Sequence, residues 1–507
     1  MELLNNLSLG FGVALTLGNI GYCFIGVLLG TLIGVLPGIG PLVTISMLLP
    51  ITFGMPPVSA LIMLAGIYYG AQYGGSTAAI LVNLPGEVSS SVTCLDGYQM
   101  ARRGKAGYAL ATAALASVIA GFIGTLAIAT LAKPLSAWAI EFGAEDYFGL
   151  MVMGLVSATV LSNGDLAKSL GMVMFGLLLG LIGTDVNSGI ERFTFNVPEL
   201  ADGIGFSILA VGLFAMPEVV SNLGQKETRE VFTAKISGVM MSWAEFKAIL
   251  PPSLRGTTVG GLFGMLPGVG PTVSAFAAYM VEKKVSKDPA RFGLGAVEGV
   301  AAPEAANNAA SQTTFIPTLT LGIPGSATMA LIFGALVMYG VQPGPTVMVR
   351  DPQLFWGVVA SMFVGNVMLV ALNLPLVGVW VRLLTVPYRW LFPCIIMFCA
   401  FGNYTVNSSV VDVYVCAAIG VLGYVMAQLD CPPAPMVLGY VLGPQMEEYM
   451  RRALLLSGGD SMVFLRSPLS LFFLVVAALL LISMSIPAIR RKKHIVYEEK
   501  SEAEAKA

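Results

Sequence analysis

Apolar stretches long enough to cross a bilayer recur from one end of this sequence to the other, among them Ala109–Leu131, Leu166–Ile182, Leu354–Leu374 and Leu469–Ile486. Crossing a hydrocarbon core takes ~20 apolar residues in a helix. A soluble domain carrying one anchor is thereby excluded. Of the 507 residues 56% are apolar and only 11% charged, whereas an ordinary soluble chain is near ~25% charged. The expected fold is an all-α integral membrane protein of roughly ten to twelve transmembrane segments.

Glycine and proline, at 58 and 29 residues, fall inside these segments rather than in one linker, so broken helices are expected. A net charge of −2 with no basic face gives no footprint for nucleic acid. Cys23, Cys94, Cys394, Cys399, Cys416 and Cys431 are scattered without a Cys-x-x-Cys pair and read as small core residues. The one histidine, His494, lies in the charged tail. That removes imidazole metal sites and Ser-His or Cys-His catalysis from the apolar segments, and no enzyme activity is expected. Met1–Leu9 lacks a positive n-region, so the first span is expected to stay rather than be cleaved. Lys and Arg favour cytoplasmic loops. Clusters at Arg102–Lys105, Lys226–Lys247, Lys283–Arg291 and Arg490–Lys493 are candidates, and the last sets the C-terminus inside.

Gly30-Thr-Leu-Ile-Gly34-Val-Leu-Pro37-Gly38-Ile-Gly40-Pro41 returns as Gly260-Gly-Leu-Phe-Gly264-Met-Leu-Pro267-Gly268-Val-Gly270-Pro271. Asn83-Leu-Pro85-Gly86 returns in the same order as Gly322-Ile-Pro324-Gly325. Two such motifs mark an internal repeat. In membrane chains repeats of this length belong to secondary transporters, whose halves hold substrate near the midplane. An odd number of spans per copy would turn the copies opposite ways, and that inverted arrangement is expected. The boundaries follow: 1–225 first repeat, 226–250 cytoplasmic or interfacial linker, 251–489 second repeat, and 490–507 charged cytoplasmic tail.

Pro-Gly-x-Gly-Pro cannot continue a helix, because prolines remove amide donors and glycines admit positive φ. In hydrocarbon the freed groups need protein or a water-filled cavity. One half-helix should end at Leu36 and another begin at Pro41, presenting N–H groups and a positive dipole end to a carboxylate. Unwound carbonyls suit Na⁺. The competing reading is a kink or a tight packing point. Each break is followed by an interrupted, polar segment: Tyr73–Thr77 through Asn83–Glu87 and Ser89–Ser91, then Glu298–Thr314 ending at Pro324–Ser326. Both read as re-entrant hairpins whose tips meet the breaks. The candidate substrate-binding residues are Gly38, Gly40, Thr44, Ser46, Gly75, Ser76, Thr77, Asn83 and Gly86, with Gly268, Gly270, Thr272, Ser274, Asn307, Asn308, Gly325 and Ser326 in the second copy. A Na⁺ site is placed near Pro37, Asn83, Pro267, Glu304, Thr313 and Thr314. Glu298 and Glu304 are intramembrane carboxylate candidates, as cation ligands or protonatable groups, unless they merely face water near Arg291. Asp412, Asp96 and Glu87 are weaker ones, and Arg102, Arg103 and Lys105 read as topogenic.

These strings resemble the large membrane subunit of tripartite tricarboxylate transporters, the TctA family. The likeness rests on Gly34–Pro41, Gly66-Ile-Tyr-Tyr-Gly-Ala-Gln-Tyr-Gly-Gly-Ser76, Gly299-Val-Ala-Ala-Pro-Glu-Ala-Ala-Asn-Asn-Ala309 and Leu321–Ser326, and spans Gly26 to the last span. It implies import of citrate or other small carboxylates across a bacterial inner membrane. It also implies two partners, a periplasmic solute-binding protein and a small membrane subunit of about four spans, and an ion gradient as driving force. No Gly-x-x-x-x-Gly-Lys-Ser/Thr phosphate loop is present. Na⁺ is preferred to H⁺ as coupling ion because the site offers hard oxygen donors, and no other cofactor is expected. Distant likeness to tripartite dicarboxylate and divalent-anion transporters implies an elevator motion, with Pro37–Pro41, Gly75–Gly86, Pro267–Pro271 and Asn307–Ser326 on the mobile element. The alternative is a stand-alone carboxylate permease or exporter.

Overall fold

The computed structural model describes residues 1–36, 39–161, 165–185, 188–223, 241–266, 268–384, 386 and 388–485. The N-terminal helices are α1 (Glu2–Ala14), α2 (Leu17–Gly34), α3 (Pro41–Leu48), α4 (Pro57–Val82), α5 (Ser91–Met100) and α6 (Ala106–Ala139). There follow α7 (Ala144–Leu161), α8 (Leu166–Gly180), α9 (Phe206–Ala210), α10 (Met216–Leu223), α11 (Trp243–Gly264), α12 (Gly270–Val285), α13 (Glu298–Thr313) and α14 (Ala327–Met338). The chain closes with α15 (Val347–Arg350), α16 (Pro352–Asn373), α17 (Val377–Leu384), α18 (Tyr388–Asn407), α19 (Val410–Gln428), α20 (Pro433–Leu456), α21 (Val463–Arg466) and α22 (Pro468–Ser485). One two-residue antiparallel ribbon pairs Gly183–Thr184 with Glu191–Arg192. The chain is an all-α membrane protein. Among the described residues four helical stretches are long and apolar enough to cross a bilayer: Leu17–Gly34, Val88–Ala139, Pro352–Asn373 and Val410–Gln428. The other apolar segments form shorter helices, because Gly and Pro interrupt them. The basic residues Arg102, Arg103 and Lys105 stand exposed at a kink where Gly104 adopts φ +76°.

The chain divides into two compact units. The larger comprises Met1–Ala137 and Phe206–Tyr424, the smaller Trp138–Gly205 and Val425–Ala507. In the larger unit α2 lies against α4 with almost no space between backbones. A Cβ added at Gly26, Gly30 or Gly34 would stand 2.3 Å from the carbonyl oxygen of Met63, Ile67 or Ala71. The α11–α13 pair is built alike: Gly256, Gly260 and Gly264 face the carbonyls of Ala302, Ala306 and Ala310 at 2.1, 2.2 and 2.6 Å. Small residues at four-residue spacing let helix backbones meet where apolar side chains gain nothing over lipid. In the smaller unit α8 and α20 close the same way, Gly176 against the Met436 carbonyl and Gly439 against that of Val173. Arg451 there bridges Asp185 at 3.2 Å and Glu447 at 2.5 Å, and Arg192 joins Glu447 at 2.9 Å.

Candidate functional site

Both expected breaks are present in the larger unit. α2 stops at Gly34 and α3 starts at Pro41 behind Gly40, while α11 stops at Gly264 and α12 starts at Gly270. Pro37, Gly38 and Pro267, expected to line substrate or Na⁺, lie outside the described residues. Each break touches one Pro-Gly loop. A Cβ at Gly40 would be 3.1 Å from Glu87 Cβ, and one at Gly270 would be 3.3 Å from Ser326 Cβ. The Gly268 N–H donates to the Gly325 carbonyl at 3.0 Å, and the Gly86 N–H to the Gly75 carbonyl at 3.4 Å. Gly86 has to be glycine, since its Cβ would press on Gly75 Cα at 2.4 Å and the Gly34 carbonyl at 2.8 Å. The turn before each loop is left-handed, at Asn83 (φ +58°) and Gly322 (φ +72°), residue types that tolerate this conformation at a helix end.

Within the first polar segment the interruption falls at Asn83–Glu87, and α4 runs unbroken from Pro57 to Val82 through Tyr73–Thr77. Gly70 and Gly74 serve the approach to α2, where Cβ atoms would lie 2.4 and 2.5 Å from its backbone, and Gly75 receives the Gly86 loop. In α13 Pro303 is likewise inside a continuous helix.

α4, α5 and α13 bring a polar cluster into an apolar interior. Ser76 donates to Glu304 Oε2 at 2.7 Å, and Thr93 donates to the other carboxylate oxygen. Ser311 donates to Gln72 Oε1 at 2.6 Å. Glu87 accepts from Ser89 and, at 3.4 Å, from Asn307 Nδ2. Several buried polar atoms have no partner: Asn307 Oδ1, Asn308 Oδ1, Gln72 Nε2 and Gln312 Nε2. A buried polar atom without a partner costs about 1–3 kcal/mol; Gln72 and Asn307 belong to this cluster, while Gln312 lies against Thr125 of α6. Beside Glu304 a cleft is lined by Tyr73, Ser76, Thr77, Ser117 and Asn373, with about 20 Å³ open to water centres. A water needs ~10–15 Å³, so the cleft has room for one.

The other expected residues sit as follows. Thr44, Ser46 and Ser274 are buried, with hydroxyls donating to the carbonyls of Gly40, Leu42 and Gly270. Thr77, Thr313 and Thr314 likewise donate within their own helices. Thr272 is half-buried. Ser326 caps α14, accepting from the Met329 N–H. Glu298 pairs with exposed Arg291 at 2.6 Å, whereas Glu304 is buried. Asp96 accepts from the N–H groups of Gly293, Gly295 and Ala296 and from the Tyr279 hydroxyl, a clamp on the loop before α13. Asp412 lies in the first turn of α19 and accepts from Asn407. Among the described residues no group of three or more His, Cys, Asp and Glu side chains is placed to hold a metal ion. Thr93, Ser117, Gln72 and Asn373 escaped the sequence reading. Their one signal was a polar residue inside an apolar helix.

The family model described as the tripartite tricarboxylate transporter TctA family matches residues 20–438. The chain belongs to that family. It is a membrane component of a tripartite transporter, which implies partner subunits. An Agrobacterium vitis protein named "Uncharacterized 52.8 kDa protein in TAR-I ttuC' 3'region" is 54% identical over 499 residues, 98% of this chain and 99% of its own. A second from the same organism, "Uncharacterized protein in TAR-II ttuC' 3'region", is 52% identical over 240 residues, 47% of this chain and 99% of its own. No solved structure matches.

Proposed function

We propose that the chain is the translocating subunit of a binding-protein-dependent secondary transporter that imports tricarboxylates or related small carboxylates, driven by a cation gradient. The observation that carries this reading is the pairing of two broken helices with two Pro-Gly loops, Gly40 beside Glu87 and Gly270 beside Ser326. Half-helix starts supply amide donors and a positive dipole end to an anion, and discontinuous helices are where secondary transporters bind substrate. Asn307 and Asn308, on the helix that leads to the second loop, add unpartnered polar atoms. A periplasmic binding protein and a small four-span subunit complete the proposed assembly in the inner membrane. Movement of the paired breaks and loops across the membrane, elevator fashion, is the proposed transport step.

The test begins with the ligand of the adjacent binding protein, whose uptake is measured in vesicles holding both membrane subunits under imposed Na⁺ or proton gradients. Gly268, at φ +83°, is then replaced by leucine. Loss of uptake with normal membrane insertion is expected, and unimpaired uptake by Gly268→Leu would refute the site. Uptake needing neither binding protein nor gradient would refute the assembly.

A further inference from the structure

Three elements of the larger unit meet at one end: the α5–α6 junction, the start of α11 and the loop that leads into α13. Tyr108 of α6 stands in the field of both Glu245 and Glu298, and Lys105 acts on Glu245. Phe246 and Val297 pack on one apolar cluster. A guanidinium nitrogen of Arg103 lies 3.6 Å from where a Gly295 Cβ would stand. The carboxylates that these contacts bring in are all engaged. Glu245 caps α11 on Ser242, Glu298 pairs with Arg291 at 2.6 Å, and Asp96 holds the N–H groups of Gly293, Gly295 and Ala296.

The cations are not engaged in that way. Arg102, Arg103, Lys105 and Lys247 stand exposed and form no ion pair among the described residues. At Gly104 (φ +76°) the chain leaves helical geometry, so Arg102, Arg103 and Lys105 are grouped outward instead of being carried round a helix. Beside them Trp243 is 68% exposed at the first position of α11. Its ring stacks on Phe246 with centroids 5.4 Å apart, and Lys247 Nζ lies 5.4 Å from its centre. Membrane orientation asks only that positive charge lie near the end of a span. It asks neither for a left-handed kink that groups cations nor for a bare indole next to them.

We propose that an anionic phospholipid is seated at this end, with its phosphodiester among Arg102, Lys105 and Lys247 and its upper acyl chain against Trp243 and Phe246. Charge complementarity selects the headgroup, because unpaired cations at a membrane surface attract anionic lipid. The indole selects depth, since tryptophan settles where headgroups meet hydrocarbon. A soluble anion would use the cations and leave the exposed indole without a role. Bound so, the lipid ties the α5–α6 junction to α11, the helix that ends at the second break. The site stands whether or not the chain carries carboxylates.

The test titrates phosphatidylglycerol with brominated acyl chains into the full chain in a non-ionic detergent, with brominated phosphatidylcholine as the comparison. The readout is quenching of that part of the tryptophan emission which Trp243→Phe removes. Three cations at about fivefold each put half-quenching by the anionic lipid about a hundredfold below that by the zwitterionic one. Added salt should narrow the difference. Replacing Arg102, Lys105 and Lys247 together by glutamine should abolish it, whereas Lys105→Arg with Lys247→Arg should keep it. Lys247→Gln alone should cost about fivefold and serves if the triple variant fails to insert. Equal quenching by the two lipids, or a preference that survives loss of the cations, overturns the proposal. Inorganic phosphate that displaces the brominated lipid as readily as unlabelled phosphatidylglycerol does would make this a soluble-anion site and overturns it too.

Discussion

Gly26 and Gly21 sit on the same helix and have opposite jobs. A Cβ on Gly26 would lie 2.3 Å from the Met63 carbonyl, whereas at Gly21 nothing stands within 4 Å. Gly26→Ala must push two backbones apart, a strain of about 1–3 kcal/mol. Gly21→Ala removes only the entropy that glycine adds to the unfolded helix, a gain of up to about 1 kcal/mol. Thermal unfolding of the two variants in one detergent should move in opposite directions, and equal shifts would show that α2 and α4 do not pack through glycine. The sequence displayed these glycines but left open whether they were packing points or binding elements. The contacts make packing points of Gly26, Gly30 and Gly34, which meet carbonyls, and of Gly86, which meets Gly75 and the Gly34 carbonyl in the loop at the first break. Glu298 and Glu304, one and a half helical turns apart, were equally eligible in sequence. Only the fold puts Arg291 on the first and hydroxyls from far upstream on the second.

At the scale of elements, the positions of the breaks were legible because prolines and glycines dictate them locally. The number of uninterrupted spans was not. Hydropathy sees an apolar segment whether or not it stays one helix, and Pro41–Thr52, Phe206–Ser221 and Ala327–Met338 are apolar yet short. Asp96 was equally opaque, since its partners are distant in sequence. It fastens α5 to the loop ahead of α13 through three backbone N–H groups and Tyr279. Hydrogen bonds to a charged group contribute about 1.5–3 kcal/mol each. Asp96→Ala should therefore loosen that loop first, seen as faster amide exchange at Gly293, Gly295 and Ala296 with little change along α2 and α4. Unaltered protection of those three amides would mean that the clamp does not hold the loop.

At the scale of the molecule the question is how two similar halves share one membrane, and contacts between α4 and α13 bear on it. By the register of the two glycine seams, Gln72 and Ser311 hold equivalent places, and they touch each other at 2.6 Å. Further along α4, Ser76 meets Glu304, which lies earlier on α13. Before Gln72, Tyr69 packs on Phe315, which lies later, with ring centroids 6.3 Å apart. Advancing along one helix thus means retreating along the other, with equivalent residues meeting at the centre. A twofold axis across the helices would pair two copies in this way, and such an axis lying in the membrane plane would turn one copy over. Pro56 and Ser286, which follow the first and second half-helix pairs at matching places, should then face opposite sides. Lys283, Lys284, Lys287 and Arg291 make the end at Ser286 the expected cytoplasmic side, and the inverted arrangement then predicts Pro56 on the periplasmic side. In a background without the six native cysteines, an impermeant maleimide added to intact cells should label Pro56→Cys at once and Ser286→Cys only after the membrane is opened. Labelling of both from the same side would mean that the halves run parallel, and the shared midplane site built from two inverted breaks could not stand.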